Sequence, residues 1–211
     1  RSMIGVNKRK LLSGQRRALL GVTKGYRTIS GEALCVIAGV IPIDLEIERR
    51  YIVSAVRKEG SFEWGGRIFV KRGIKGVSRE YVLEKWQQRW VGSDKGRETY
   101  TYWNSVKMRI KDVWVRPGYY VTQFVSGHGC FAGSLCRFAR NDSELCQCGE
   151  VESSEHVLFR CKKWEVMRRE LYGQLVGIGL GFTKRDMVER GGFKYFREFC
   201  EKVLELRERE G

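Results

Sequence analysis

Cys146-Gln147-Cys148-Gly149, with His156 and Cys161 after it, places three cysteines and one histidine within one short stretch of the sequence. Seven residues separate the second cysteine from the histidine, and four separate the histidine from the last cysteine. Three thiolates and one imidazole form the ligand set of a closed structural zinc site, which leaves no position open for a catalytic water. We therefore predict that a structural zinc ion staples the fold, with the ligands Cys146, Cys148, His156 and Cys161. The alternative is a set of unpaired buried thiols beside one surface histidine.

The residues between these ligands carry the signals of a turn and a helix. Gly149 gives the backbone the freedom that a tight turn between closely spaced cysteines requires. Ser153 and Ser154 are typical N-cap residues, so we expect a helix that begins near Glu155 and carries the histidine ligand inward. A basic helix follows the last cysteine, and we predict phosphate contacts from Lys162, Lys163, Arg168 and Arg169. A zinc module that holds a protein partner would have the same outline.

The charge of the whole chain favours a polyanionic partner. Its 211 residues include 40 Lys and Arg against 25 Asp and Glu, which gives a formal net charge of +15 and a pI near 9.7. Each neutralised phosphate releases condensed counterions, so nucleic acid is the first candidate and a membrane surface a weaker second. No apolar run has the length of a membrane span, and we expect no membrane partner. Seven cysteines, an odd number, and no export signal favour a reducing, intracellular compartment.

The first 31 residues contain eight basic residues and no acidic one. Apolar positions at helical spacing predict an amphipathic helix in this stretch, built on Leu11, Leu12, Gln15, Ala18, Leu19 and Val22. Its polar face would be cationic, and we predict phosphate contacts from Arg9, Lys10, Arg16 and Arg17. The alternative is a solvated face without a ligand. Because the chain begins with Arg1 and enters this pattern almost at once, we expect a fragment of a longer polypeptide.

Helical spacing recurs along the rest of the chain, so the predicted fold class is mainly α with few short strands. Further helices are expected at Gly31–Ala38, Ile43–Glu59 and Tyr119–Ser126, after caps at Ser78 and Thr183, and from Phe193 onward. Trp86 and Trp90 lie four residues apart on one helix, and we assign them to the core rather than to a base-stacking surface.

Two segments give weaker signals. The glycine-rich, basic segment 60–76 is expected to be a linker or an exposed loop with a short strand at Ile68–Val70, and it is a candidate domain boundary. The segment 103–115 fits a strand or a poor helix equally well, so its structure stays open.

Four blocks of sequence stand in a fixed order along the chain. The first runs from Tyr26-Arg27-Thr28-Ile29-Ser30 to Pro42-Ile43-Asp44-Leu45. The second includes Trp86, Trp90 and the loop Lys95-Gly96-Arg97, the third is Ser126-Gly127-His128-Gly129, and the fourth is the cysteine and histidine block. Together they resemble the Pol polyproteins of non-LTR (type-1) retrotransposons, most of all the arthropod elements that insert into ribosomal DNA. The single residue between Cys146 and Cys148 is a departure, since wider spacing also occurs in that family.

The resemblance implies a parent protein that is an RNA-directed DNA polymerase and endonuclease, which nicks target DNA and primes cDNA synthesis from the nick. This chain would hold a reverse transcriptase thumb-like helical segment at 1–66, a connecting helical region with basic loops at 67–140, and a zinc-knuckle-like nucleic-acid-binding domain at 141–211. The implied partners are template RNA, target DNA and the remainder of the polyprotein, in the nucleus. Magnesium would be needed only in the polymerase part, which lies outside this chain.

The second and third blocks contain candidate functional residues. Lys95 and Arg97 flank Gly96, so this loop is expected to approach a phosphate closely. His128 lies between two glycines without a visible nucleophile partner, and a structural or zinc-adjacent role is favoured over a general base.

Polymerase chemistry is not expected from this chain alone. Two-metal catalysis needs carboxylates a few ångströms apart, whereas none of the five aspartates is adjacent to another. A phosphate-binding P-loop and a His-Glu-x-x-His motif are also missing. The predicted function is therefore that of a zinc-ordered nucleic-acid-binding segment. The alternatives are a zinc-stapled protein-interaction module and a tail that itself cleaves DNA, although no cluster of acids for such cleavage is found.

Overall fold

The computed structural model describes residues 5–210, which form a helical fold with one small β-hairpin. Arg1, at which the predicted cationic stretch begins, lies outside the described residues. The fold is mainly α with few short strands, as predicted, and none of the described helices is long and apolar enough to cross a membrane. In chain order the elements are α1 (Gly5–Thr23), α2 (Gly31–Ala38), α3 (Ile43–Glu59), β1 (Ser61–Trp64), β2 (Arg67–Val70), α4 (Ile74–Val91), α5 (Arg97–Tyr102), α6 (Val106–Lys111), α7 (Tyr119–Ser126), α8 (Ala132–Cys136), α9 (Ser154–Phe159), a short 3-10 helix (Lys162–Trp164), α10 (Glu165–Gly177), α11 (Lys184–Val188) and α12 (Gly192–Glu210).

Several helices begin where N-cap residues predict them. Ser30 Oγ accepts a hydrogen bond from Ala33 N at 3.2 Å and starts α2. Thr183 forms a capping box with Asp186 and starts α11. The predicted bounds of α2, α3 and α7 are those of the structure. Local N-cap residues therefore determine where several of the helices begin.

The prediction that Ser78 caps a helix is wrong. α4 begins already at Ile74, with Gly73 as its N-cap at a φ of +70°. Ser78 is buried inside the helix, and its Oγ donates a hydrogen bond to Lys75 O at 3.3 Å. Because a serine within a helix can satisfy its hydroxyl on the preceding turn, it marks a helix start only where its own backbone is extended.

Residues 61–70 form a β-hairpin. The short strand predicted at Ile68–Val70 lies within β2, but the residues before it, expected to be a linker or an exposed loop, form β1 and the turn. β1 and β2 pair in antiparallel register through all four residues of each strand. Gly65 and Gly66 form the two-residue turn, with φ values of +57° and +73°. This turn type twists in the same sense as the strands and needs residues that accept positive φ. The aromatic side chains of Phe62 and Trp64 on β1 pack edge-on against Tyr51 of α3.

Segment 103–115, left open between strand and helix, contains the short helix α6. Ser105 caps it by accepting a hydrogen bond from Met108 N at 3.3 Å. Arg109 on this helix is buried, and its Nη2 donates to Ile37 O at the end of α2 at 2.6 Å. Burial lowers the pKa of Arg109 to about 10. The basic residues of this segment therefore include one that holds two helices together.

The tryptophan stripe belongs to the core, as predicted. Trp86, Trp90 and Trp103 are fully buried, and Trp90 Nε1 donates a hydrogen bond to Trp103 O at 2.7 Å. One cluster of buried apolar residues extends from Leu19 on α1 to Leu204 on α12. It contains residues from all three predicted segments, whose division near residues 66 and 140 stays a prediction.

The predicted apolar face of α1 is only partly correct. Leu19 is buried, but Leu11, Ala18 and Val22 are exposed. α1 packs on α2 and α3 along one narrow side, where Gln15 Oε1 accepts from Ile43 N at 2.8 Å and Gln15 Nε2 donates to Ile41 O at 3.0 Å. A polar side chain therefore anchors this helix, and three of the predicted apolar positions lie outside the contact.

A carboxylate at the start of α3 joins the first four helices. The two carboxylate oxygens of Asp44 lie 2.8 and 3.2 Å from the Arg89 guanidinium of α4, and Lys8 Nζ of α1 lies 2.9 Å from Oδ2. Arg89 also contacts Glu32 of α2 at 3.1 Å. Burial alone would raise the pKa of Asp44, but the hydrogen bonds from Arg89 and Lys8 outweigh it, so the pKa is lowered.

Candidate metal centre

The two closely spaced cysteines lie on a tight turn. Residues Leu145 and Val151 form an isolated antiparallel bridge, and within it Cys146 N donates to Glu150 O at 2.8 Å. Gly149 has a φ of +88°, and its N–H donates back to Cys146 O at 2.9 Å. The left-handed backbone that the turn requires at this position is accessible to glycine without strain, as the sequence indicated.

The other two candidate ligands lie on and after α9. Ser153 accepts a hydrogen bond from His156 N at 3.0 Å and caps the helix, as predicted. Cys161 follows the helix, and its N–H donates to His156 O at 2.8 Å. The short helix and its C-terminal turn therefore fix the distance between the imidazole and the last thiol.

The four side chains converge on one point. One ligand atom from each of Cys146, Cys148, His156 and Cys161 lies within 4.8 Å of the others. Cys146 Sγ and Cys161 Sγ are 3.5 Å apart, and Cys148 Sγ is 3.2 Å from His156 Nε2. Ligand atoms on a tetrahedral zinc ion are separated by roughly 3.5–3.8 Å, so the arrangement is close to what the ion requires. The donor set of three sulfurs and one nitrogen also fits zinc.

The surroundings of the cluster act differently on its side chains. Glu150 Oε2 lies 2.9 Å from His156 Nδ1, which leaves Nε2 directed at Cys148. A carboxylate partner of this kind fixes the tautomer and the ring orientation of a metal-ligating histidine. The backbone N–H of Glu150 donates to Cys148 Sγ and lowers the pKa of that thiol, whereas burial raises the pKa of Cys146 to about 12. Cys146, His156 and Cys161 are buried, and Cys148 is exposed.

A buried carboxylate fastens the cysteine turn to two helices. Glu152 Oε2 accepts a hydrogen bond from Ala132 N at 2.7 Å, at the start of α8. The same oxygen lies 2.9 Å from Arg207 Nη2 on α12, and the guanidinium makes a second contact with Oε1. Glu152 is almost fully buried, and a buried carboxylate needs a charged partner, which Arg207 provides. The candidate metal site is therefore part of the main fold.

The predicted nucleic-acid contacts lie on three separate parts of the structure. Arg9, Lys10 and Arg17 are exposed on α1, while Arg16 donates hydrogen bonds to Arg27 O and, at 3.0 Å, to Ile29 O. Arg16 therefore also holds the loop that follows α1.

The second predicted group, Lys95 and Arg97, lies at the start of α5. Lys95 is exposed. Arg97 Nη2 donates to Trp90 O at 2.8 Å, and its guanidinium lies 4.2 Å from the centre of the Tyr100 ring. Gly96 between them has a φ of +71°, and a β-carbon at this position would meet Ala33 Cβ at 2.9 Å. The glycine is therefore explained by close packing within the chain.

The third predicted group follows the last cysteine. Lys162 and Lys163 are exposed on the 3-10 helix. Arg168 Nη2 donates to Cys161 O at 2.9 Å, and Arg169 pairs with Glu165 at 2.6 Å. The contact of Arg168 with the backbone of a candidate metal ligand indicates a positioning role for this side chain.

His128 is not part of the candidate metal cluster. Its Nδ1 lies 2.9 Å from Thr28 Oγ1, so it joins the loop after α1 to the loop after α7. Burial lowers the pKa of His128, and the charge of Arg137 lowers it further. The structural role favoured for this histidine fits these contacts.

Sequence reasoning identified the four candidate ligands but missed the carboxylates around them. Glu150 and Glu152 were given no role, although both lie within four residues of Cys148. A signal for Glu150 was present, since an acidic residue beside a metal-binding histidine is a common partner of its second ring nitrogen. The pairing of Glu152 with Arg207 spans 55 residues and has no local signal.

Comparison with known proteins identifies relatives along most of the chain. A Pol polyprotein from the type-1 retrotransposable element R1 4 of Nasonia vitripennis is 32% identical over 203 residues, which cover 91% of this chain and 51% of that protein. The corresponding R1 protein of Bradysia coprophila is 29% identical over 205 residues, 92% of this chain and 20% of that protein. This chain thus spans about half the length of its relatives or less. No family model matches the chain, and no solved structure matches it significantly.

Proposed function

Because the chain is homologous over most of its length to Pol polyproteins of type-1 retrotransposable elements, we propose that it is a zinc-stapled, nucleic-acid-binding segment of such a polyprotein. The observation that carries the proposal is the convergence of three thiols and one imidazole within 4.8 Å in a chain of net charge +15. The donors fit a structural zinc ion, and the charge fits a polyanion.

The candidate ligands would give zinc a structural role. Cys146 and Cys148 would hold it from the turn, and His156 and Cys161 from α9 and the residue that starts the 3-10 helix. When bound, the ion supplies four ligand bonds that replace hydrophobic burial in this small region. The ion pair between Glu152 and Arg207 then connects the zinc-ordered turn to α12.

The remaining parts of the proposal concern the larger protein. Template RNA and target DNA are the proposed nucleic acids, the remainder of the polyprotein is a further partner, and the nucleus is the proposed location. RNA-directed DNA polymerase and endonuclease activity, with its magnesium, would belong to the other parts of the polyprotein. The homology to Pol polyproteins supports this assignment.

A second candidate function is a zinc-stapled protein-interaction module without nucleic-acid binding. It is favoured by the contacts of Arg16, Arg97 and Arg168, each of which donates hydrogen bonds to backbone carbonyl oxygens. Basic side chains that stabilise the fold need no phosphate partner. Measurement of nucleic-acid binding separates the two functions.

The test combines metal content with nucleic-acid binding. The chain and its variants Cys146→Ser and His156→Ala are purified, and zinc is measured by mass spectrometry. Binding of labelled RNA and duplex DNA is measured by fluorescence anisotropy at two salt concentrations. Cys136→Ser removes a cysteine outside the cluster and is the matched control.

The proposed function predicts about one zinc ion per chain, lost in both ligand variants and kept in the control. Wild-type affinity for nucleic acid should fall steeply with salt, because binding releases counterions. Zinc in the absence of nucleic-acid binding would favour the protein-interaction module. A chain without zinc would contradict the metal assignment.

A further inference from the structure

An open cavity of about 650 Å³ lies between the loop after α1 and the end of α8. Three cationic side chains line it, from Lys24, Arg27 and Arg140, and so do three aromatic rings, from Tyr26, Tyr119 and Phe138. No carboxylate is found among the described residues that line it. Its volume lies within the range of small-molecule binding sites. Cations and aromatic rings together are the groups that bind the phosphates and the bases of a nucleotide.

The cations of this cavity differ in their ion pairing from other basic residues of the chain. Within the described part of the chain, no carboxylate lies within ion-pair distance of Lys24, Arg27 or Arg140, whereas Lys184 and Arg207 each contact buried or half-buried carboxylates. Arg27 and Arg140 are exposed to solvent. Three unpaired positive charges around one concave surface attract an anion that the chain itself does not supply.

One aromatic ring of the cavity is presented to solvent. Phe138 follows α8 and has 46% of its surface exposed. The backbone holds it in place, since Phe138 N donates to Leu135 O at 3.0 Å and Arg140 N donates to the same oxygen at 3.0 Å. The His128 ring lies 6.3 Å away at a tilt of 34°. An exposed, backbone-anchored phenyl ring beside unpaired cations is a surface on which an unstacked base can lie.

The opposite side of the cavity is also aromatic and rigid. The rings of Tyr26 and Tyr119 are stacked at 6.2 Å with an angle of 25° between them, and their hydroxyl oxygens are 3.1 Å apart. Burial raises the pKa of Tyr26 above its ordinary range, so its hydroxyl remains a neutral donor or acceptor. Polar and aromatic groups therefore face the cavity from two sides.

The cavity shares a lining residue with each of two neighbouring cavities, and we call the three together the basic groove. Thr28 also lines a cavity of about 590 Å³ that includes Arg16 and Lys95. Ser134 also lines a cavity of about 500 Å³ that includes Arg97 and Arg137. Three basic residues predicted from the sequence to contact phosphates thus lie along this groove. Carboxylates line both ends of the groove. Glu32 at the first end is paired with Arg89, and the second end contains Asp94, Glu98, Glu144 and Glu152, of which Glu98 and Glu152 are paired with Lys184 and Arg207. The excess of cations over carboxylates is therefore found in the central cavity.

We infer that the basic groove binds a single-stranded segment of nucleic acid, with one unpaired base against Phe138 and phosphates beside Arg27 and Arg140. This inference rests on the proposed function and names the form of nucleic acid that the chain recognises. In a duplex each base is stacked between its neighbours, so no base face is free for the phenyl ring. RNA and DNA single strands share the groups that the groove would contact, and the experiment distinguishes them.

The test measures binding of one labelled sequence in three forms: single-stranded RNA, single-stranded DNA, and the duplex of the two DNA strands. Phe138→Ala removes the ring, and Phe138→Tyr retains it. Arg27→Gln with Arg140→Gln removes two charges from the groove. Lys58→Gln with Lys111→Gln removes two exposed charges that do not line it, and Tyr172→Ala removes a ring of similar exposure on α10.

We expect tighter binding of a single strand than of the duplex. Phe138→Ala should weaken single-strand binding by about fivefold or more, and Phe138→Tyr and Tyr172→Ala should leave it unchanged. The groove charge variant should reduce the slope of log affinity against log salt by roughly 1.4, about 0.7 for each lost phosphate contact, and the control charge variant should not.

Each outcome bears on a different claim. A wild-type chain that binds none of the three forms contradicts the proposed function and this inference with it. Nucleic-acid binding that is equal for duplex and single strand, or equally affected by groove and control variants, overturns the inference alone. Circular dichroism of every variant verifies folding, and the exposed positions of Phe138 and Arg140 keep these substitutions compatible with it.

Discussion

At the scale of single residues, the orientation of His156 depends on Glu150. Its carboxylate lies 2.9 Å from Nδ1 and leaves Nε2 facing Cys148 Sγ. Glu150→Gln should therefore weaken zinc binding by about 10- to 100-fold, because the second ring nitrogen loses its charged partner. Competition with a chromophoric chelator measures the affinity.

Glu144→Gln is the control for this substitution, since Glu144 lies before the same turn, is exposed, and is not one of the four candidate ligands. Equal zinc affinities for the two variants would show that Glu150 has no part in positioning the imidazole.

Gly96 was predicted to let a loop approach a phosphate, whereas in the structure it packs closely against α2. Its φ is +71°, and an added methyl group would lie 2.9 Å from Ala33 Cβ, so there is no room for a side chain. Gly96→Ala should lower the free energy of unfolding by about 3 kcal/mol, through backbone strain and overpacking together. Urea unfolding followed by tryptophan fluorescence measures the loss.

Gly66→Ala separates the two contributions to that loss. Gly66 has a similar φ of +73° but no atom within 4 Å of the added carbon, so only strain of about 1–2 kcal/mol is expected. If both variants lost the same free energy, packing around Gly96 would contribute nothing.

The residue scale also shows what spacing in a sequence can predict. The four candidate ligands follow from residue types and distances along the chain, because a turn and one short helix bring them together. Arg168 was predicted to contact phosphate, yet it donates a hydrogen bond to Cys161 O at 2.9 Å. The residue type is the same for both roles, and only the direction of the side chain distinguishes them.

At the scale of secondary-structure elements, Asp44 links α3 to α1 and α4. Its side chain is almost fully buried between Arg89 and Lys8. Asp44→Asn should destabilise the chain by about 3 kcal/mol near neutral pH, because Lys8 loses its charged partner and Arg89 keeps only Glu32. Asp142→Asn, at an exposed position, is the control and should change little.

The same substitution predicts a pH dependence with a defined sign. The pKa of Asp44 is lower in the folded chain than in the unfolded chain, so the stabilisation is fully present above about pH 4. It is lost as the pH falls through the lowered folded-state value. Wild type and Asp44→Asn should therefore converge in urea midpoint as the pH is reduced toward about 2, and a constant difference would contradict the ion-pair assignment.

Elements differ in how well the sequence predicts them. α2, α9 and α11 start at serine or threonine caps, and α3 starts after Pro42, so their beginnings were correct. The hairpin was missed because two strands of four residues are too short for a clear alternation. Its signal was the pair Gly65-Gly66, which is typical of a two-residue hairpin turn.

At the scale of the whole molecule, one apolar cluster joins α1 to α12, and Glu152 with Arg207 fastens the candidate metal site to it. Removal of zinc by a chelator should therefore lower the urea midpoint of the entire chain. At free zinc about a hundredfold above the Kd, the expected loss on removal is about 3 kcal/mol. Tryptophan fluorescence and far-UV circular dichroism measure the transition.

Fluorescence and circular dichroism should agree with each other on the urea midpoint of the zinc-bound chain, and again on the lower midpoint of the metal-free chain. We expect this agreement because Trp86 and Trp90 lie in the continuous core. An unchanged tryptophan transition in the metal-free chain would show that residues 141–211 unfold by themselves. This result would support the predicted domain boundary near residue 140.

The basic groove is the feature that sequence reasoning could not assemble. Lys24 and Arg140 are more than a hundred residues apart, and no binding role was predicted for Phe138. Charge runs along the sequence indicate basic segments, but the concave surface depends on how the loop after α1 packs beside α8. Long-range packing of this kind leaves no periodic signal.

The short distance between Cys146 and Cys161 has a consequence for handling the protein in air. Their sulfur atoms are 3.5 Å apart, and a bound metal would occupy both as thiolates. In a metal-free chain an oxidant can remove two electrons and two protons from this pair and join the sulfurs as a disulfide. Such a chain would no longer accept zinc until a reductant restored the thiols, so metal lost under aerobic purification would be regained only after reduction.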